Sequence, residues 1–438
     1  MSEQQGLLAG FGKVDITPDY PVGLRGYAND ETRIYEHVVD PIYATCIAVT
    51  EGEQTVLMFT IDNCACEQPT AELIRQAVSA VTAVPDENIF CAATHCHSAP
   101  SIGGGANGPR FKSDMIQACV DAAQIALADR APAKILAAKK EIEGMNFVRH
   151  YVKQSGGIAG VAFGTFKDDP PVRHTTDPDK NLVLVKFQRE EGHKSILLVN
   201  WQGHPDCSAE IGKLNIAPSY PGPLRDALGA YTGDLVAYFT GDDGNLVIHS
   251  SMKEENHDMN WREYGIKMAQ FGNELYKELK EVEGTGISTS RRVLELQTDH
   301  GKDHMIEQAN EVFNVWKTVG MPEGTALAKS YGMSSVYQAN AIRNKFRMDK
   351  TRTMEINAFR IGGIGFTSGT YEMFCEAGLA VRAASPYEYT FLLTGNFSYI
   401  PSEMAYDYQC YEAVTGYYAR GTGEFLADQY IEMLHEIK

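Results

Sequence analysis

One stretch combines residue types and spacing that suit metal chemistry. Thr94-His95-Cys96-His97-Ser98-Ala99-Pro100 directly follows the apolar run Ile89-Phe90-Cys91-Ala92-Ala93. In an extended chain, residues two apart face the same side. His95 and His97 are therefore expected to enter one cleft at a strand end, where α/β folds place their sites. Neutral imidazoles suit Zn²⁺, although the same pair also fits an ordinary surface or core environment. A second strand-like run, Val199-Asn200-Trp201-Gln202-Gly203-His204-Pro205, also ends on a histidine. The proline holds His204 extended, which suits a fixed ligand. Arg149, in Asn146-Phe147-Val148-Arg149-His150-Tyr151, carries a permanent forked charge. It suits a carboxylate or an oxyanion, and equally a surface salt bridge. Glu372, in Gly369-Thr370-Tyr371-Glu372, reads either as a site carboxylate or as a residue complementing a helix dipole.

Other motifs carry less. Asn396-Phe397-Ser398-Tyr399 and Tyr406, Tyr408 and Tyr411 crowd the last loop with phenols, which are common in cores and interfaces. Cys64-x-Cys66 lacks a second cysteine pair and reads as plain thiols. Gly103-Gly104-Gly105 lacks the Gly-Lys-Ser/Thr of a phosphate loop. The sequence contains neither a Gly-x-Ser-x-Gly elbow nor a His-Glu-x-x-His helix.

The elements that must position these residues alternate short β-branched runs with helical segments, an α/β pattern. Strands are expected at Ala44–Thr50, Thr55–Asp62, Asn88–Thr94, Ala133–Ile142, Leu235–Thr240, Arg291–Gln297, Thr353–Phe359, Ile364–Thr367 and Tyr389–Leu393. Leu182–Gln188 and Ser195–Trp201 read as a hairpin. Helices are expected at 69–81, Lys112–Leu127, Asp303–Val319, Tyr371–Ala384 and Thr422–His435. The strongest helical stripe is Met259–Glu283, where Trp261, Tyr264, Met268, Phe271, Leu275, Leu279 and Val282 recur at three- and four-residue steps. Segments 98–110 and 150–180 lack periodicity and read as long functional loops.

The chain has 438 residues and a formal charge of −18. Such acidity disfavours phosphate backbones and anionic membrane faces as partners. No run reaches the roughly 18–20 apolar residues of a membrane span, and the N-terminus lacks signal-peptide character. The expected protein acts on a small molecule in the cytoplasm, without nucleic acid or stable membrane association. Nine cysteines, scattered rather than patterned, suggest buried free thiols.

Taken in order, the motifs resemble the neutral (neutral/alkaline, non-lysosomal) ceramidase family of zinc amidases. The matching stretches are Gly12-Lys13-Val14-Asp15-Ile16-Thr17-Pro18, Gly26-Tyr27-Ala28, Thr94–Pro100, Asn146–His150, Asn200–Pro205, Tyr220-Pro221-Gly222, Gly244-Asn245-Leu246, Gly369–Glu372 and Tyr399 with Tyr411-Glu412. The resemblance implies a single catalytic domain over residues 1–438, with a large mixed sheet flanked by helices. It implies one Zn²⁺ on His95, His204, Glu372 and Tyr399, with His97, Arg149 and Tyr411 as catalytic groups. Three departures bear on the substrate. Val247-Ile248 stands where ceramide-cleaving members carry Ser-Pro, leaving Ser250 or Ser251 as substitutes. Ser219 stands where they carry Asp. The C-terminal β-sandwich domain of those members is not expected here. The implied activity is thus hydrolysis of an amide in a soluble substrate other than ceramide. Alternatives are a metal-dependent hydrolase, lyase or isomerase for a carbohydrate or ester, and a non-catalytic metal-binding relative.

Overall fold

The computed structural model describes residues 6–27, 33–160, 166, 168–252, 258–395 and 398–438. Ala28, Asn396 and Phe397 of the motifs above lie outside these residues. Two sheets pack face to face. The larger contains β1 (Leu8–Asp15), β2 (Tyr43–Glu51), β3 (Gln54–Ile61), β4 (Ile89–Ala93), β5 (Ala131–Glu141), β6 (Asn181–Arg189), β7 (Ile196–Trp201) and β8 (Leu235–Thr240). Their order is β8-β7-β6-β5-β1-β2-β3-β4, with Lys280–Glu281 adding a short strand on β5. The smaller sheet runs β9 (Ile287–Gln297), β10 (Thr351–Ile361), β11 (Ile364–Gly369) and β12 (Tyr389–Leu393) in that order.

Most neighbours are antiparallel, but β3/β4, β7/β8 and β11/β12 are parallel. Parallel pairs need a crossover, usually a helix. Here the helices are α1 (Gln68–Thr82), α3 (Pro221–Thr232) and α8 (Cys375–Ala384), numbered with α2 (Gly108–Ala128), α4 (Trp261–Tyr276), α5 (Ile306–Thr318), α6 (Met321–Ser330), α7 (Val336–Phe346), α9 (Tyr411–Thr415) and α10 (Thr422–Glu436). The three crossovers matter because the carboxyl ends of their strands point to one region.

The expected mixed sheet with flanking helices is present, and the second sheet adds a layer. One apolar cluster joins both sheets: Phe90 of β4 stacks on Phe359 of β10 at 3.9 Å, and Phe359 on Phe366 of β11 at 4.6 Å. Outside it, α1 and α2 cover one part of the large sheet, α3 and α4 cover another, and α8 and α10 cover the small sheet. Helix α2 lies directly on the β1 backbone. A Cβ at Gly10 or Gly12 would come within 2.0 Å of a carbonyl of α2, so only glycine permits that approach.

Several sequence expectations change. The long helix starts at Trp261, where Asn260 and Glu263 form a capping box, but it ends at Tyr276. Lys280–Glu281 then returns to β5 as a strand, so sheet pairing overrides the helical stripe at Leu279 and Val282. The stretch 150–180 is no featureless loop. It contains the strands His150–Lys153, Ile158–Gly160 and Pro171–His174, which pair as a small sheet. Helix α2 begins at Gly108, inside the expected loop 98–110. All nine cysteines are buried thiols outside any disulfide, as their apolar surroundings suggested. Among the described residues no helix is long and apolar enough to cross a membrane.

Candidate metal centre

The carboxyl ends of the parallel strands deliver the histidines and the glutamate. β4 ends at Ala93, followed by His95 and His97; β7 ends at Trp201, followed by His204; β11 ends at Gly369, followed by Glu372. Backbone links tie these ends together. The Thr240 hydroxyl donates to the Thr94 carbonyl at 2.8 Å, and Thr394 N–H donates to Thr240 at 3.1 Å. Gly395 sits at φ +131°, where a Cβ would lie 2.3 Å from the Ala93 carbonyl.

His95 and His97 do converge, but not by strand alternation. β4 has ended, and His95 adopts a left-handed φ of 62°. That conformation is uncommon for a residue with a side chain and marks functional strain when the surroundings enforce it. His95 Nδ1 lies 2.7 Å from the Cys64 carbonyl. The carbonyl can only accept, so Nδ1 carries the hydrogen and Nε2 presents its lone pair. His204 Nδ1 faces the Asp243 carbonyl at 3.3 Å and the Asp243 carboxylate at 3.6 Å, again freeing Nε2. His97 Nε2 stands 3.1 Å from His95 Nε2 and 3.2 Å from His204 Nε2.

Glu372 is not a helix residue. Glu372–Met373 is a short strand paired in register with Tyr399–Ile400, and α8 starts only at Cys375. One Glu372 oxygen lies 3.5 Å from His95 Nε2. The ligand atoms of His95, His204 and Glu372 all fall within 4.8 Å of one another, and all three residues are buried. Cys64 joins His95 and His97 in a second such group.

The electrostatics fit a cation. Burial, with the neighbouring imidazoles, pushes His95 and His204 well below the ordinary histidine range, and burial lowers His97. Burial and the nearby Asp243 push Glu372 well above its usual value, and burial pushes Asp243 up to about 7. A buried Glu372 oxygen has no hydrogen-bond partner. One N–H on His97 can satisfy only one of the two facing lone pairs. The donor set therefore suits a divalent metal better than it suits itself.

The remaining predicted residues surround this group. Tyr399 is half-buried, with Glu372 and Arg149 among the charges acting on its phenol, and Arg149 lies 5.4 Å from its ring centre. Tyr411 packs edge-on against Tyr399 at 5.9 Å, and burial pushes its hydroxyl up to about 12. His97 Nδ1 lies 3.8 Å from the Asp206 carboxylate, which also accepts from Tyr27 and Ser208. Asp206 and Asp243 were missed in the sequence, and Cys64, read there as a plain thiol, meets His95 through its backbone carbonyl. Asp243 alone left a signal, since it closely follows the strand-like run at Leu235–Thr240.

Of the two substitute hydroxyls expected, that of Ser250 is engaged with other partners. Ser250 Oγ faces His174 Nε2 at 3.4 Å and accepts from Met252 N–H at 3.0 Å. Val247 pairs with Phe147 in a two-strand ladder. Beside it, Gly244 has a tight role: a Cβ there would lie 2.6 Å from the Glu372 carbonyl and 2.9 Å from that of Met373. Gly244→Ala is expected to displace the Glu372 strand and weaken metal affinity at least about tenfold, as lost ligand support does elsewhere. Zinc titration of the folded variant checks this; wild-type affinity would disprove the placement.

The fold has counterparts among solved structures. The chain matches the crystal structure of neutral ceramidase from Pseudomonas aeruginosa with a TM-score of 0.73 at 17% identity, over 99% of this chain and 74% of that one. It has the neutral ceramidase fold. A structure of ceramidase complexed with C2 matches equally, with a TM-score of 0.73 at 16% identity, over 99% of this chain and 75% of the other. No protein-family model and no curated protein sequence matches the chain. In this ceramidase-like fold, the buried His, Cys and Glu groups at the strand ends could hold a metal ion.

Proposed function

We propose that the protein is a zinc-dependent hydrolase cleaving an amide bond in a polar substrate, and that residues 1–438 act as one catalytic unit. The convergence of His95, His204 and Glu372 at the ends of three parallel pairs carries this reading. Those three, with Tyr399, would hold the ion. When bound, zinc supplies Lewis acidity toward a carbonyl and makes a water acidic enough to attack near neutral pH.

The chain's own groups have separate tasks. His97, facing the cluster through Nε2, takes a proton from the attacking water and hands it to the leaving amine. Arg149 and Tyr411 donate toward the oxygen on which negative charge develops. Cys64 and Asp243 fix the tautomers of His95 and His204. The polar group of Asp206, Tyr27 and Ser208 beside His97 favours a substrate with hydrogen-bonding groups near the scissile bond over one presenting only alkyl chains.

Metal analysis tests the reading first. The purified protein should bind one zinc per chain, and a chelator should remove both activity and the stability that the bound ion adds. A panel of N-acyl amines, esters and glycosides should show turnover on the amides. Protein that binds no divalent metal would overturn the proposal, and turnover confined to esters or glycosides would replace the amidase assignment.

A further inference from the structure

Arg149 enters the site on a long side chain with much rotamer freedom to lose. Something must therefore aim it. Its Nε donates to Glu412 Oε1 at 2.5 Å, and Nη2 donates to the Gly244 carbonyl at 2.9 Å. The other Glu412 oxygen faces His150 Nε2 at 2.9 Å, and His150 Nδ1 faces the Tyr408 hydroxyl at 2.9 Å. Glu412 and His150 are both almost wholly buried, at 2% and 1% exposure. A carboxylate can only accept from these donors, so His150 carries its hydrogen on Nε2 and takes the Tyr408 hydrogen on Nδ1. The result is a directional chain: Tyr408 to His150 to Glu412, with Arg149 on the carboxylate's other oxygen.

His150, Cys410 and Glu412 also lie close enough to suggest a third metal group. The Arg149 guanidinium argues against it. That fixed charge already pairs with Glu412 and would repel another cation. Both carboxylate oxygens are used, and Cys410 Sγ accepts from Ala413 N–H. The group is complete as a hydrogen-bonded chain.

We infer that Glu412, backed by His150 and Tyr408, is the positioning residue that aims Arg149 at a substrate oxygen. This rests on the proposed metal site, because Arg149 has a target only if a carbonyl is held beside the ion. Glu412 follows Tyr411 on α9, so one short helix presents a donor phenol and the carboxylate that orients the second donor. The chain also ties the 398–416 segment to the strand beginning at His150.

Acetohydroxamate, a small metal-binding amide analogue, provides a probe that needs no known substrate. Its dissociation constant and the bound zinc are measured on zinc-saturated wild type, R149A, E412Q and R149A/E412Q. One zinc per chain is expected throughout. R149A and E412Q should each weaken acetohydroxamate by about tenfold, the scale of one charge-assisted hydrogen bond. The double variant should be no weaker than R149A, because a positioning residue has nothing left to position. Y408F, a milder change at the outer end of the chain, should weaken binding by roughly two- to threefold and covers the case in which E412Q does not fold. Wild-type affinity in E412Q, or in Y408F where E412Q cannot be made, overturns the inference. Multiplicative losses in the double variant do so too, since they would mean a merely structural role. An unchanged R149A overturns it while leaving the zinc reading intact. Absence of zinc from wild type instead defeats the metal site itself, and the inference falls with it.

Discussion

Replacing His95 or His204 with alanine is expected to strip the protein of zinc. Each imidazole is buried, holds its hydrogen on the far nitrogen, and turns a lone pair toward Glu372 and the other histidines. Removing a group that merely supports a ligand costs about 10–100-fold in affinity. Loss of a ligand itself should therefore cost at least about 100-fold. Zinc stoichiometry after dialysis against a weak chelator should fall from one per chain to almost none, with circular dichroism unchanged. His97→Ala provides the contrast. As the proposed proton-transferring group it should keep its zinc and lose turnover. Zinc loss in that variant would make His97 a ligand, and full zinc retention in both His95→Ala and His204→Ala would place the metal elsewhere.

The second large effect lies one step behind the site. Asp62, at the end of β3, is completely buried and receives both ends of the Arg225 guanidinium, at 2.8 Å and 2.7 Å. It also accepts from Tyr43 N–H at 3.0 Å and from the Thr94 hydroxyl at 3.3 Å. The pair thus links α3 of one crossover to the strand end that launches His95. Arg225→Met keeps the bulk but leaves an unpaired buried carboxylate. It should destabilise folding by about 3–5 kcal/mol, read as a lower midpoint in guanidinium chloride. R225M/D62N removes both charges, keeps an acceptor for Tyr43 N–H and the Thr94 hydroxyl, and should recover most of that loss. A single-variant loss below about 1 kcal/mol would show the pair to be solvated, against its burial.

Much of this centre was legible in the order of residues. The apolar runs before His95 and His204 are strands because β-branched and aromatic residues fit a pleated, buried surface. A histidine directly after each run must lie at a sheet edge. Chain order thus brought His95, His204 and Glu372 under suspicion, and the ceramidase-like motifs supplied roles for Tyr399, Tyr411 and Arg149. Local pattern misread their surroundings where a long-range contact outweighed it. Glu372 precedes a helix in sequence, yet its backbone pairs with Tyr399. Leu279 and Val282 keep helical spacing, yet Lys280–Glu281 joins β5.

What the sequence determined by itself is the inventory: strands and helices in alternation, imidazoles at strand ends, and thiols in apolar settings. The tertiary structure alone decided how that inventory converges. A strand buried on both faces is apolar throughout, so its sequence does not reveal whether a helix or a second sheet covers it. Phe90 stacking on Phe359 settles that point. Nor does a His-x-His spacing fix where two rings point. Their direction depends on the backbone of one residue, and His95 takes a left-handed φ in a segment held by partners distant in the chain: Cys64 on its ring, and Asp62 and Thr240 on Thr94. Those partners come from separate strands and loops, and only packing brings them within hydrogen-bond reach.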